Sequence, residues 1–317
     1  MSVMVWGHRG HRHHRANGIQ EITGPSWHEN TIGAYRQVLD KTMGVECDIV
    51  QSRQNTPFLI HDTLFNGMVK YELQNHLAET SKAAVQDRFI FQMNDDEIAA
   101  LKLRDGQEIP KLKNFLRLLS DYPDRFANLE LKGPHVADPA LDVVEQAIHH
   151  KLIKPSQVIF SSFNLPALRS LRMNNGSRFQ IGISFMVADQ PMTQMYPNWP
   201  LAEQNAYYVP FSIDALQRPD IIDINPEFFN LEYRSLDTDS IEAIHHFFPR
   251  AKIILWYSGE PYPSVYSPLA DAVETYMASD KIFAVITDYP LATQAILQER
   301  GIEVITPSVR RLAARSQ

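Results

Sequence analysis

Glu46 and Asp48 stand two residues apart in the apolar run Val45–Val50, so strand alternation turns both to one face and Cys47 to the other. Two carboxylates side by side at the end of a buried strand are costly to hold ionised without a partner. A divalent cation that takes hard oxygen ligands, Mg2+ or Ca2+, meets that need. The plainer alternative is a pair of surface carboxylates. Glu130 and Lys132 repeat the spacing on the run Asn128–Lys132. There a third carboxylate would complete a ligand set and the lysine would hold an anion, unless the two merely neutralise each other at a rim. His8 and Arg9 close the first apolar run, and His61 and Asp62 close another. Two histidines facing one site can serve as general base and general acid, since imidazole titrates near neutrality. An arginine beside one of them offers a planar fork for a phosphate.

The other histidines carry less. His11, His13 and His14 lie among Arg12 and Arg15, and their loop spacing is nonspecific for a metal, so the stretch reads as a solvated basic lid. His149-His150 and His245-His246 fall in helical stretches and are expected on surface faces.

Eight strands are expected to position these groups: Val3–Trp6, Val45–Val50, Asn128–Lys132, Val158–Phe163, Gln180–Phe185, Ile221–Asn225, Lys252–Trp256 and Phe283–Thr287. Helical periodicity fills the intervals at Ile32–Lys41, Leu112–Leu119, Leu141–His150, Pro166–Met173, Ser240–Phe247 and Ala270–Ala278. Eight strands with crossover helices fit an α/β fold, a closed (β/α)8 TIM barrel, with a doubly wound open sheet as the alternative. Pro57–Asp62 follows the second strand too closely for a crossover. It is expected to form an antiparallel hairpin extension turning at Gln54-Asn55, which sets Asp48 opposite His61. Insertions are expected at about 10–28 and 65–93, at the catalytic face, with a helix-like stretch at Asp95–Leu103. Asp189–Arg218 is irregular. Residues 1–306 read as a single barrel domain and 307–317 as a basic tail.

Composition narrows the function classes. Of 317 residues, 44% are hydrophobic and 21% charged, as in a globular enzyme, and the net charge of −7 disfavours nucleic acid as a partner. An anionic substrate therefore needs a local cationic pocket. The single Cys47 excludes an internal disulfide and any cysteine cage for zinc or iron–sulfur. No apolar run approaches the roughly 18 residues of a membrane span, so no integral membrane segment is expected. The opening MSVMVWGHRG lacks the features of a signal peptide, which makes a cytoplasmic location the expectation.

In order and largely in spacing, these residues resemble the glycerophosphodiester phosphodiesterase family. Gly7-His8-Arg9-Gly10 is similar to its H-R-G signature, Glu29-Asn30-Thr31 to E-N-T, Gly44–Asp48 to G-x-E-x-D, and His61-Asp62 with Leu64 to H-D-x-x-L. Ile109–Leu112 resembles I-P-T-L, Glu130–Lys132 E-x-K, Ser161–Asn164 S-S-F-D, and Ile286–Pro290 I-T-D-x-P. Trp256 falls where the family has a V-W-T-V strand. The resemblance spans nearly the whole chain.

It implies a TIM barrel in which Glu46, Asp48 and Glu130 bind one divalent cation and Arg9 and Lys132 bind the phosphate of a small glycerophosphodiester. His8 would act as base and His61 as acid, or the reverse, and Trp256 would wall the glycerol side. The implied reaction is hydrolysis to glycerol 3-phosphate and an alcohol, with water as nucleophile or a glycerol hydroxyl that gives a cyclic phosphate. Two alternatives stand beside it: a sphingomyelinase or lysophospholipase D-like phosphodiesterase on a lipid, and a catalytically silent barrel that binds a phosphorylated ligand or a partner. Retention of both histidines and all three carboxylates argues against silence. The departures lie around the expected mouth: extra residues between His8 and Glu29, Phe65-Asn66 where an arginine often follows H-D-x-x-L, and Tyr257–Glu260 after Trp256.

Overall fold

Short β-branched and aromatic runs alternate with amphipathic stretches, and the computed structural model turns them into strands and helices in turn. It describes residues 2–11, 27–61, 76–85, 88–132, 135–185, 209–257, 266–277 and 280–307. The strands are β1 (Ser2–Gly7), β2 (Gly44–Gln51), β3 (Pro57–Leu59), β4 (Phe126–Leu131), β5 (Val158–Ser162), β6 (Gln180–Ser184), β7 (Phe228–Glu232), β8 (Lys252–Trp256), β9 (Ile282–Thr287) and β10 (Glu303–Ile305). The longer helices are α1 (Ile32–Leu39), α2 (Leu112–Leu119), α3 (Ala137–His149), α4 (Leu165–Asn175), α5 (Thr238–Phe247), α6 (Tyr266–Tyr276) and α7 (Pro290–Glu299).

Strands β1, β2, β4, β5, β6, β7, β8 and β9 pair in parallel in that order, and β1 pairs with both β2 and β9. The sheet therefore closes on itself as an eight-stranded (β/α)8 TIM barrel. Closure explains why strands such as β2 are buried along nearly their whole length: helices cover the outer face and the lumen covers the inner one. Met4, Trp6, Ile159, Phe228, Ile254, Ala284 and Ile286 form the cluster inside the barrel. Trp6 stacks on Phe126 at 5.7 Å and meets Phe283 edge-on at 5.8 Å, which plugs the lumen below the site. The main core lies between barrel and helices. Parallel β10 extends the sheet beyond β1.

Two expectations are corrected. Ile221–Asn225 is not a strand: Pro219–Ile224 is a short helix, and the strand is Phe228–Glu232. Pro219 presets the first helical turn and Asn225, at φ 45°, ends it in the left-handed region, which outweighs the β-leaning isoleucines. The hairpin register is the second. Gln51 pairs with Pro57 and Ile49 with Leu59, one position away from the expected pairing, so Asp48 faces Ile60. Asn55 does adopt the left-handed conformation, at φ 61°, but as the third residue of a three-residue loop closed by Ser52 and Thr56. His61 escapes the inversion a register slip imposes because β3 stops at Leu59.

The helix-like stretch after residue 93 is a short helix, Asp95–Ala99. With the hairpin it builds a separate hydrophobic cluster that includes Val50, Phe58, Ile60, Leu77 and Ile98. His149, His150, His245 and His246 are exposed, as expected. His13, His14, Asp62, Leu64, most of 189–218, Ser258–Glu260 and residues 308–317 lie outside the described residues.

Candidate active site

The first functional groups sit on a turn that only an unusual backbone can make. Arg9 has φ 55° and Gly10 φ 84°, and a Cβ on Gly10 would come within 2.9 Å of Ala34 in α1. This tight turn at the C-terminal end of β1 leaves His8 over the barrel mouth and sends Arg9 inward. His8 Nδ1 donates to Asp288 Oδ1 at 2.7 Å, and its Nε2 lies 3.8 Å from Glu46 Oε2. The Arg9 backbone N–H donates to Glu46 Oε2 at 3.0 Å, and its Nη1 donates to Glu29 Oε1 at 2.9 Å. Its Nε lies 3.0 Å from Asp48 Oδ2 as an ion pair rather than an aligned hydrogen bond.

Alternation on β2 and β4 brings Glu46, Asp48 and Glu130 together, with one oxygen of each within 4.8 Å of the others. Asp48 pairs in register with Glu130. Lys132 donates to Glu130 Oε1 and lies 3.2 Å from Asp48 Oδ1. When fully ionised, Glu29, Glu46, Asp48 and Glu130 are four carboxylates facing two cations, Arg9 and Lys132, an excess of two negative charges. Glu46 Oε1 is buried and accepts no hydrogen bond. Burial, reinforced by the charges of Asp48 and Glu130, pushes the Glu46 carboxyl well above the usual carboxylate range. Burial also opposes ionisation of Asp48, but Arg9, Lys132, His61 and His8 outweigh it and hold that carboxyl well below its usual range. A divalent cation fits this donor set: it matches the charge excess and supplies the partner that Glu46 Oε1 lacks.

His61 is buried just past β3, near enough for its charge to act on Asp48. Across the mouth, Phe163 lies 5.7 Å under the Lys132 ammonium and meets Trp256 edge-on at 6.1 Å. Trp256 Nε1 donates to the Asn230 carbonyl at 3.3 Å. All eight of the residues expected from sequence thus lie on or just past β1–β4 and β8, with Trp256 set apart from the acidic group. Arg9 differs from expectation in its partners, since Glu29 and Asp48 already engage it.

Asp288 and Glu232 were missed. Asp288, 4% exposed, follows β9 on the inward parity of Ile286, and the same alternation that singled out Asp48 would have found it. Glu232 ends β7, 1% exposed, and accepts from Arg234 Nε at 3.0 Å and from its backbone N–H at 2.8 Å. Misplacing that strand hid it.

Behind Arg9, Glu29 leads to a second pair. His76 Nε2 lies 3.7 Å from Glu29 Oε1, and His76 Nδ1 meets His28 Nε2 at 3.2 Å. Burial, with the nearby His28 adding to it against Glu29, lowers His76 to about 4. The folded state therefore refuses a proton that the unfolded chain accepts below about pH 6.5, so stability falls as pH drops from there toward 4. His76→Asn, which keeps a polar atom near Nδ1, is expected to flatten that fall by on the order of 2–3 kcal/mol in urea titrations at both pH values. Equal pH slopes in the two proteins would remove His76 from this role.

The sequence profile of the glycerophosphoryl diester phosphodiesterase family matches residues 8–212. No curated protein sequence matches the chain. Among solved structures, a glycerophosphodiester phosphodiesterase from Parabacteroides distasonis is 17% identical with a TM-score of 0.61, covering 95% of this chain and 98% of its own. One from Thermotoga maritima is 21% identical with a TM-score of 0.56, over 93% and 99% of the two chains. A phosphodiesterase from Oleispira antarctica, in complex with the product sn-glycerol 3-phosphate, is 20% identical with a TM-score of 0.59, over 93% and 96%. These likenesses are to the barrel; the profile match, which takes in His8, Glu46, Asp48, His61 and Glu130 and covers well over half of the sequence, makes this chain a member of the glycerophosphoryl diester phosphodiesterase family.

Proposed function

We propose that the chain hydrolyses glycerophosphodiesters to glycerol 3-phosphate and an alcohol, with one divalent cation, Mg2+ or Ca2+, held by Glu46, Asp48 and Glu130. The observation that carries this reading is the acidic group with its two uncompensated negative charges, set beside His8 and His61 in one mouth. Family membership supports phosphodiester cleavage, and the product-bound Oleispira phosphodiesterase supports a small glycerol-based substrate. Among the described residues no helix is long and apolar enough to cross a membrane.

The bound cation would draw charge from the phosphodiester oxygens and so lower the barrier to attack. The chain's own residues supply the rest. Asp288 accepts the Nδ1 proton of His8, which leaves Nε2 as the basic nitrogen that takes a proton from the attacking water as its oxygen bonds to phosphorus. His61 holds the proton that the departing alcohol oxygen requires. Lys132 and Arg9 bind the phosphate. The Arg9 fork has five N–H donors, so engagement of Glu29 and Asp48 is compatible with that contact. Trp256 walls the pocket against the alcohol or glycerol carbons.

The deciding experiment is glycerol 3-phosphate release from glycerophosphocholine and glycerophosphoethanolamine, with and without chelator. Release that depends on added Mg2+ or Ca2+ is expected. Release indifferent to thorough chelation would remove the cation from the mechanism. Inert soluble diesters together with cleavage of sphingomyelin or a lysophospholipid would move the substrate to a lipid.

A further inference from the structure

One left-handed residue links the helical outer layer to the acidic group inside the barrel. Asn30 has φ 57° and is 2% exposed, immediately before the Thr31 cap of α1. Its Nδ2 donates to Asp48 Oδ2 at 2.9 Å, and its Oδ1 accepts from the Asp48 backbone N–H at 3.2 Å. The same Oδ1 accepts from the Tyr35 hydroxyl at 2.6 Å. Tyr35 is fully buried, packs its ring on Phe115 at 4.7 Å, and has its hydroxyl in hydrogen-bond contact with the Cys47 thiol. Cys47 faces the outer layer, so the chain of contacts passes from one face of β2 to the other through Tyr35 and Asn30.

The orientation of the Asn30 amide follows from its partners. Two donors converge on Oδ1, and the Asp48 carboxylate needs a donor from the other side. A reversed amide would set N–H against N–H and oxygen against carboxylate. Asp48 Oδ2 is consequently committed, to Asn30 Nδ2 and to the Arg9 ion pair. Its other oxygen, Oδ1, accepts no aligned hydrogen bond and lies 3.2 Å from the Lys132 ammonium on the side of Glu130.

We propose that Tyr35 and Asn30 are positioning residues for the cation: together they lock the Asp48 carboxylate so that Oδ1 is the oxygen offered to the metal. The inference rests on the reading of Glu46, Asp48 and Glu130 as ligands. Outer partners of a metal ligand commonly set its affinity by about 10- to 100-fold, because they fix a geometry the ion would otherwise have to impose. The Tyr35 hydroxyl acts one step further out, so its share is smaller. Without it the amide is oriented by the Asp48 N–H and carboxylate only.

The test is Mn2+ binding to the full chain, read from the electron paramagnetic resonance signal of free Mn2+, in four proteins. Wild type is expected to bind one Mn2+, and Glu46→Gln to lose it. Tyr35→Phe keeps the ring packing and is expected to weaken Mn2+ binding by roughly 3- to 10-fold, with its thermal midpoint little changed and its turnover restored by saturating Mn2+. Asn30→Gly keeps the left-handed backbone while removing the amide, and is expected to weaken binding by about 10- to 100-fold. Wild-type affinity in a folded Tyr35→Phe would overturn the role of Tyr35, and wild-type affinity in both variants would overturn the whole proposal while leaving the ligand reading intact. A wild-type protein that binds no Mn2+ would overturn the ligand reading and this inference with it. Should Asn30→Gly fail to fold, Tyr35→Phe decides alone.

Discussion

Asp288→Asn is expected to cost nearly as much turnover as removing the His8 imidazole. His8→Ala should lower kcat/KM for glycerophosphocholine by roughly 10²–10⁴-fold, the usual contribution of a general acid or base. Asp288 is buried and takes the Nδ1 proton of His8 at 2.7 Å, which fixes the tautomer with its lone pair on Nε2. An asparagine there donates as well as accepts. Its amide favours the opposite tautomer, with the lone pair turned toward residue 288 and the proton toward the substrate. The Asp288→Asn loss should therefore fall within about tenfold of the His8→Ala loss. Because the two residues act as one unit, the double variant should be no slower than His8→Ala. Additive losses would show that Asp288 acts on something other than His8. Thermal midpoints of the three variants check that the fold survives.

The second large effect is a reversal of stability. In the absence of cation, burial and the neighbouring charges of Asp48 and Glu130 oppose ionisation of Glu46 and push its carboxyl upward. Glu46→Gln removes that repulsion and keeps an oxygen for the Arg9 backbone N–H. In chelator the variant is expected to be more stable than wild type by about 1–2 kcal/mol, as when a poorly compensated buried carboxylate is replaced. With cation at about 100 times its dissociation constant, wild type gains about 2.7 kcal/mol from binding, and the order inverts. Turnover should be lost in the variant under both conditions. Thermal melts with chelator and with Mg2+ or Ca2+ read the crossover, and a variant less stable than wild type in chelator would show that Glu46 is a structural carboxylate.

Much of the site was legible because strand alternation is a rigid rule. Glu46 and Asp48 on β2, and Glu130 on β4, fall to one face whatever the exact strand ends. The barrel count survived the loss of one strand because the error at 221–225 was compensated by Phe228–Glu232 a few residues on. What failed depended on local conformations that residue types specify weakly. Asn55 marked a turn correctly but not whether two or three residues form it, and that one-residue difference moved the partner of Asp48 from His61 to Ile60. Asp288 stood in the I-T-D-x-P match and on the inward parity of its strand, but its contact with His8, 280 positions away, is announced by nothing local in the chain. The engagement of Arg9 by Glu29 depends on a pair of left-handed residues, one of them not glycine, at the end of β1.

The contact between His28 and His76 has a consequence for how this enzyme can be altered. Their imidazoles, 48 residues apart in the chain, meet at 3.2 Å behind Glu29. Glu29 thus links this pair to Arg9, whose guanidinium it also holds. Replacing either histidine by itself would break this contact on one side and loosen that guanidinium. His28, Glu29 and His76 are therefore a unit for redesign: a change at one has to be matched at the other two to keep Arg9 in place.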